Sequence, residues 1–341
     1  MQKKRVAVVG YGTIGERVSD GIAEQDDLEL AGVVDVTPSL PVRALVESGK
    51  GYPIYCAIPE RRKTMESAGI PVRGLLEDLL KEVDIVVDAT SPGIGEKNHQ
   101  IYRRFGIPAI FQAGEKGEFS DATFSPYFNY EKCRGLKYLK MFSCNTTGIA
   151  RQAHVCDRAF GLKEMICLIV RRSADISETH KGPVDALLPN EVPSHQAEDF
   201  HQVAPHIHTI TGVVTAPVCH GHATMMIFEV SKKATREEVV EIFDRDPRTR
   251  IFRLKDGFIS TSHIFDYNRD RMSPRGDMYE VPVWEETIYL DKGGRRIYSI
   301  NMIPQEAIVV PENIDAIRCI LGLEERTNEA MAHTNRCLEL K

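Results

Sequence analysis

Along its first third the chain alternates short apolar runs with segments whose apolar residues recur at helical spacing. Residues 5–10 and 28–36 read as strands, with a helix over 13–25 between them. Helical patterns follow at 60–68 and 75–82. The run VDIVVDA at 83–89 reads as a buried strand with its acids toward the ends, then 96–105 as a helix and 108–112 as another strand. Strands interleaved with helices imply βαβ units and a parallel sheet covered on both faces. After about residue 140 the rhythm changes. Longer strand-like runs stand at 161–171, 207–218, 224–231, 280–290 and 295–302, and few helices separate the last two. Gly293-Gly294 between those two marks a hairpin turn. This part reads as a mostly antiparallel sheet with a few helices on one face, an α+β arrangement. From Pro311 onward the pattern is helical again, with Ile314, Ile317 and Leu321 on its apolar stripe. A length of 341 residues suits two domains, and no low-complexity linker separates them.

The first strand runs into Gly10-Tyr11-Gly12-Thr13-Ile14-Gly15, a G-x-G-x-x-G that opens a helix. The first glycine permits the tight turn, the second lets a pyrophosphate approach the backbone, and the third lets helix and strand pack closely. Main-chain N–H groups at the helix start then meet the phosphates. Asp35, 20 residues past Gly15 at the end of the next strand, completes the dinucleotide pattern.

A second motif, Ser143-Cys144-Asn145-Thr146-Thr147-Gly148, lies between a strand over 136–142 and a helical pattern that runs to about Phe160. Cys144 therefore stands at a helix start, where main-chain N–H groups stabilise a thiolate. With the Asn145 amide, those groups could form an oxyanion hole. Ser143 and Asn145 serve equally as plain N-caps, and Cys144 as a buried structural thiol. The nucleotide motif upstream favours the nucleophile.

A cysteine nucleophile works with a histidine. Of eleven histidines, His220 and His222 of Cys219-His220-Gly221-His222 stand at the entry to an apolar strand. Two positions apart on a strand, they would share a face. A metal pair lacks a third ligand at suggestive spacing, which leaves a catalytic base with a bystander. His206 and His208 read as solvated or structural. Arg171-Arg172 closes a strand, and Lys181-Gly182-Pro183 follows a polar turn. Arginine at such a strand end suits a phosphate, the alternative being a solvated charged end.

Lys+Arg number 43 against 49 Asp+Glu, a net charge of −6. That balance argues against general affinity for nucleic acid or an anionic membrane. No run approaches the ~20 apolar residues that span a bilayer. The basic start, MQKKRVAVVG, carries an apolar run that stops at Gly10, too short for a signal peptide, so a cytoplasmic address is expected. The 8 cysteines, at 56, 133, 144, 156, 167, 219, 319 and 337, form no C-x-x-C pair. In a large protein of a reducing compartment they read mostly as buried small hydrophobes, not as a disulfide framework.

With these motifs in order, the chain resembles the archaeal-type (class II) glyceraldehyde-3-phosphate dehydrogenases over essentially its whole length. GYGTIG, SCNTTG, RRSAD, KGPVDALLP, VPSHQAEDF, CHGH and QEAIVVPENIDAIR stand in that family's order and approximate spacing. The resemblance implies a Rossmann-type dinucleotide-binding domain over 1–140, an antiparallel α+β catalytic domain over 141–305, and a helical segment, 306–341, returning to the first domain. It implies cofactor contacts from Thr13, Ile14 and Gly114 beside the glycine turn, from Arg172, and from Gln305 near the nicotinamide. Cys144 would be the nucleophile, with Ser143 and Asn145 lining the substrate site. His195 and Gln196 would bind substrate phosphate, and His220 would be the base. Three departures stand out. Ala113 replaces a usual glycine, Gln196 an often-present histidine, and Asp35 an often-present lysine.

The reaction implied is oxidation of glyceraldehyde 3-phosphate to 1,3-bisphosphoglycerate through a Cys144 thiohemiacetal and thioester, with inorganic phosphate as second substrate. No metal is expected. Asp35 favours NAD over NADP, because a carboxylate accepts hydrogen bonds from ribose hydroxyls and repels a 2′-phosphate; Arg43 is a possible rescuer of NADP. The family suggests a homotetramer. Two other readings compete: a related cysteine dehydrogenase of another acyl phosphate, such as aspartate semialdehyde dehydrogenase, and a dinucleotide-binding regulatory protein without catalysis.

Overall fold

The structure, a computed structural model, describes every residue except 1, 113, 115–118, 175–181, 183 and 184. Ala113 and Lys181 thus lie outside the described residues. The chain divides into two compact units, Met1–Met141 with Val310–Glu339, and Phe142–Val309 with Leu340–Lys341.

In the first unit, β1 (Lys4–Val9), β2 (Leu28–Asp35), β3 (Ile54–Cys56), β4 (Val72–Leu75), β5 (Ile85–Asp88), β6 (Ala109–Phe111), β7 (Ala122–Phe124) and β8 (Tyr138–Met141) form one sheet. Its order is β4-β3-β2-β1-β5-β6-β8-β7, and every pairing is parallel. The helices are α1 (Thr13–Ala23), α2 (Leu40–Ser48), α3 (Pro59–Ser67), α4 (Leu76–Leu80), α5 (Gly95–Phe105) and α6 (Tyr130–Cys133). Val6, Ala7 and Val8 on β1, like Ile85, Val86 and Val87 on β5, are fully buried. Both faces of these strands are covered, which is why they read as continuous apolar runs and not as alternating ones. The strand expected over 83–89 contracts to Ile85–Asp88. Its terminal carboxylate is buried and accepts hydrogen bonds from Tyr102 Oη (2.7 Å), Asn98 Nδ2 (2.9 Å) and Thr90.

The second unit opens with α7 (Cys144–Phe160), followed by β9 (Leu162–Arg172), β10 (Leu188–Pro189), α8 (His195–His201), β11 (His208–Ala216) and β12 (His222–Val230). Then come α9 (Arg236–Arg245), β13 (Thr249–Phe252), α10 (Thr261–Asp270), β14 (Val281–Trp284), β15 (Tyr289–Leu290) and β16 (Arg296–Ile303). The sheet order is β10-β11-β9-β12-β16-β14-β13, with β15 paired to β16. Most pairings are antiparallel; β11 with β9 and β13 with β14 are parallel. The single strand expected over 280–290 is broken by a short 3-10 turn at Glu285–Thr287. Only Tyr289–Leu290 pairs back on β16 across the Gly293-Gly294 turn.

Two features fix α7 against this sheet. A Cβ on Gly148 would lie 2.2 Å from Ile303 Cδ1, so only glycine lets the helix pack this closely. The buried Arg151 guanidinium donates to the carbonyls of Arg248 (3.3 Å), Tyr279 (2.5 Å) and Ile308 (2.6 Å), which lie in segments flanking β13, β14 and β16.

The helical tail is two helices, not one: α11 (Val310–Leu321) and α12 (Thr327–Cys337), both in the first unit. A Cβ on Gly21 of α1 would lie 2.5 Å from Val310 Cγ1. The anchor is Arg318, which is fully buried. It donates to Gln25 Oε1 (2.9 Å), both oxygens of Asp27, Glu324 Oε1 (3.1 Å) and Thr334 Oγ1 (3.2 Å). Removing one partner of a buried ion pair leaves the others uncompensated, at a cost of about 3–5 kcal/mol. Arg318→Ala is expected to lower stability by that amount in urea titration. Arg318→Lys should recover only part of it, because an ammonium cannot reproduce the five-donor fork.

Candidate active site

In the first unit the glycine turn lies where the strand order reverses direction around β1 and β5. Gly10 has φ +89 and donates its N–H to Val34 O at 2.8 Å. A Cβ on Gly15 would lie 1.9 Å from Gly10 O, so the chain's own packing demands glycine there. Gly12 differs: a Cβ would meet nothing within 4 Å. It is the N-cap of α1, with Thr13 and Ile14 opening the helix. The space over Gly12 is what a pyrophosphate at a helix N-terminus requires. Asp35 ends β2 beside this turn. One carboxylate oxygen accepts from Tyr11 N (3.2 Å), the other from Val36 N (2.6 Å) and Thr37 N (3.1 Å). The first oxygen keeps a lone pair for a ribose hydroxyl. These residues fit a dinucleotide. Gly114, exposed with φ +109, stands 3.2 Å from Pro92 at its Cβ position. The Arg43 guanidinium is held by the carbonyls of Pro38 (3.0 Å) and Ala68 (3.5 Å).

In the second unit, Ser143 is the N-cap of α7, and its hydroxyl accepts from Thr146 N at 3.3 Å. Cys144 is the first helical residue and is half-buried. Its Sγ lies 3.5 Å from Nε2 of His222. His222 opens β12 and is 3% exposed. Its Nδ1 lies 3.0 Å from the main-chain nitrogen of Arg172 at the end of β9. Burial, then the charges of Arg172 and Arg171, push the imidazole pKa well below its ordinary value. Asn145 is buried beside the sulfur.

These groups share a cavity of about 240 Å³ with Arg171, His195 and Gln196. Its described lining contains no carboxylate. His195 and Gln196 open α8, which is docked by Ser194. The Ser194 hydroxyl donates to Gln196 Oε1 at 2.6 Å and meets Thr211 Oγ1 at 2.7 Å. That orients the Gln196 amide nitrogen toward His195 Nε2, 3.0 Å away. This support by Ser194 and Thr211 leaves no local signal along the chain, since the pair forms only when α8 lies on β11.

His222, and not His220, the base that the resemblance implies, meets the sulfur; His220 is exposed, its ring edge-on to Phe265 at 5.3 Å. Sharing a face required both residues to lie on one strand. Gly221 between them has φ +81, and β12 starts only at His222. The alternation that buries His222, Thr224, Met226 and Phe228 toward α7 therefore does not extend to His220. Gln305 is buried, donates to Cys219 O at 3.5 Å, and is not part of the cavity lining.

Residues 143–287 match the family described as glyceraldehyde 3-phosphate dehydrogenase, C-terminal domain. Residues 4–113 match dihydrodipicolinate reductase, N-terminus, a description carried by the nucleotide-binding half. Glyceraldehyde-3-phosphate dehydrogenase of Methanothermus fervidus is 40% identical over 340 residues, covering 99% of each chain. That of Methanothermobacter thermautotrophicus is 41% identical over 337 residues, 98% of each chain. That of Pyrococcus abyssi is 40% identical over 338 residues, again 98% of each. Among solved structures, aspartate semialdehyde dehydrogenase II of Vibrio cholerae shares the fold, with a TM-score of 0.62 and 99% coverage of both chains, at 14% identity. A structural likeness at that identity carries architecture only, whereas the curated likeness runs through both units. With a nucleotide turn in one unit, a cysteine at a helix start against a buried histidine in the other, and full-length relatives at about 40% identity, the chain belongs to the glyceraldehyde-3-phosphate dehydrogenase family.

Proposed function

We propose that this protein is a phosphorylating glyceraldehyde-3-phosphate dehydrogenase in which Cys144 is the nucleophile and His222 the histidine that serves it. The observation that carries this reading is the 3.5 Å approach of His222 Nε2 to Cys144 Sγ at the start of α7. The sulfur attacks the aldehyde carbon to give a thiohemiacetal, whose oxidation leaves a thioester on Cys144. Inorganic phosphate then attacks the thioester and releases an acyl phosphate. Covalent capture divides one difficult step into two easier ones. A cavity with Arg171, Arg172 and His195 and no described carboxylate suits a phosphorylated substrate and a phosphate nucleophile. The nicotinamide of the bound dinucleotide supplies the hydride acceptor. A steady-state assay with glyceraldehyde 3-phosphate, phosphate and each dinucleotide tests the reading. Turnover of aspartate semialdehyde in place of the triose phosphate, or none of either, would overturn it.

NAD is the preferred dinucleotide on this reading. Asp35 offers its free lone pair at the end of β2, and a 2′-phosphate there would face carboxylate charge. Arg43, tied to Pro38 and Ala68, supports no compensating role. The ratio of kcat/KM for NAD over NADP is expected to exceed about tenfold, a like-charge contact being worth a kcal/mol or more. Asp35→Ser should shrink that ratio. Equal use of both dinucleotides by the unaltered protein refutes the role.

A homo-oligomer, a tetramer by family resemblance, is the proposed assembly. Cross-strand neighbours Leu168 and Val170 on β9, Val214 on β11 and Met225 on β12 form one exposed apolar face opposite α7. Contiguous apolar surface of this kind marks an association site. Sedimentation should give a multiple of the 38.3 kDa chain mass, and Leu168→Lys should shift it toward monomer.

A further inference from the structure

Asp88 ends β5, and each oxygen of its buried carboxylate serves a different element. Oδ1 accepts from the Thr90 main-chain N–H at 3.1 Å and from the Thr90 hydroxyl. Oδ2 accepts from Asn98 Nδ2 at 2.9 Å and from Tyr102 Oη at 2.7 Å, two residues one turn apart on α5. The carboxylate thus ties the loop that leaves β5 to the helix that follows it. Little else secures that loop. Ser91, Pro92, Gly93 and Ile94 are exposed, and Ile94, the N-cap of α5, has no side-chain hydrogen bond to give. The start of the loop presses on the glycine turn. Ala89 N donates to Val9 O at 2.7 Å, and a Cβ on Gly10 would lie 2.8 Å from Ala89 C and 2.9 Å from Thr90 N. Farther along, Pro92 stands 3.2 Å from the Cβ position of Gly114.

β1 and β5 are the neighbours from which the strand order runs outward, to β2 on one side and β6 on the other. A parallel sheet leaves a crevice at the carboxyl ends of such a pair, and a dinucleotide lies across it. Asp35 ends β2 on one side of the glycine turn, and the loop over 89–94 leaves β5 on the other. A dinucleotide with its pyrophosphate over Gly12 and its adenosine ribose at Asp35 therefore has its nicotinamide half on the side of β5.

We infer that Asp88 is a positioning residue for the nicotinamide half of the dinucleotide, acting through Thr90 to hold the 89–94 loop against the glycine turn as the wall on which that half rests. The inference depends on the reading of the glycine turn and Asp35 as the seat of pyrophosphate and adenosine. Asp88 itself is 2% exposed and touches no ligand. Its effect is preorganisation: a loop already held in shape is not ordered at the moment of binding, and that entropic cost is removed. Thr90 N and Asn98 Nδ2 can only donate, one to each oxygen, so a carboxylate suits the position and an amide does not.

The test compares NADH, which carries both halves, with ADP, which carries only adenosine and the two phosphates. Calorimetric titration of the whole protein is expected to give an NADH Kd about tenfold higher in Thr90→Val, the scale of one hydrogen bond to a charged group, with the ADP Kd unchanged. That variant keeps the branched shape and the main-chain bond to Asp88 and removes only the hydroxyl. Thr90→Ser, which keeps the hydroxyl, should restore most of the NADH affinity. Asp88→Asn sets an amide N–H₂ against a donor and should show the same split more strongly; should it fail to fold, Thr90→Val and Thr90→Ser decide the question. An equal loss for NADH and ADP in Thr90→Val, or no loss for NADH, overturns the inference. Failure of the underlying reading looks different: Asp35→Ala would leave the ADP Kd unchanged.

Discussion

Cys144→Ser is expected to abolish dehydrogenase turnover, by about 10³-fold or more, while leaving dinucleotide affinity intact. The hydroxyl keeps the size and the helix-start position of the thiol, so Ser143 can still cap α7 and Gly148 and Arg151 still hold the helix. What would be lost is the proposed nucleophile: an alcohol does not ionise near neutral pH, and a helix N-terminus does not make it do so. On the proposed reading, dinucleotide binding draws mainly on the turn at Gly10–Gly15 and on Asp35, which lie in the first unit. Activity and cofactor affinity should therefore separate, read by steady-state assay and by quenching or calorimetric titration with NAD. Mass spectrometry of the unaltered protein with aldehyde and cofactor, and no phosphate, should show the acyl group on Cys144. The deeply buried thiols of Cys156 and Cys167 supply a contrast. Burial pushes both far above the usual thiol range, so neither should be labelled. An acyl group on Cys219 would reassign the nucleophile.

His222→Ala is expected to lower kcat by about 10²–10³, the cost of removing a histidine that serves the reacting atoms. His220→Ala should change it by no more than a few-fold, since that ring is exposed and packs on Phe265. The two substitutions remove the same chemical group two residues apart, so their ratio reads position alone. A larger loss at His220 would mean that the strand start at His222 misplaces the site. Parallel measurement of iodoacetamide reactivity separates the steps. If His222 also stabilises the Cys144 thiolate, alkylation at neutral pH should slow in His222→Ala and not in His220→Ala.

Much of this protein was legible along the chain. Strands that are covered on both faces must be apolar throughout, so β1, β2 and β5 stand out without any tertiary information. The glycine turn was legible because its demands are local: Gly15 is excluded from having a side chain by Gly10, five residues earlier. Cys144 was legible for the same reason, its capping residue Ser143 being its neighbour. Short elements were not. β3, β4, β7 and β10 span only two to four residues, too few for a period to register, and they exist because a neighbouring strand supplies their partners.

The choice between His220 and His222 shows where local pattern stops. The spacing of two invited a strand reading, and Gly221 was visible, but a glycine alone does not announce φ +81. Nor does it announce the close approach of Met302, whose Cε would lie 2.6 Å from a Cβ at position 221 and which is brought there by the pairing of β12 with β16. The other contact of the His222 ring is more remote still: its Nδ1 meets a main-chain N–H fifty residues away on β9. The sequence by itself determined that there is a nucleotide turn, a cysteine at a helix start and a histidine pair at the entry to a strand, because caps, turns and covered strands are made by residues close in the chain. Only the tertiary structure decided which histidine meets the sulfur and which main-chain group holds its ring, because those depend on contacts between strands that the chain brings together from far apart.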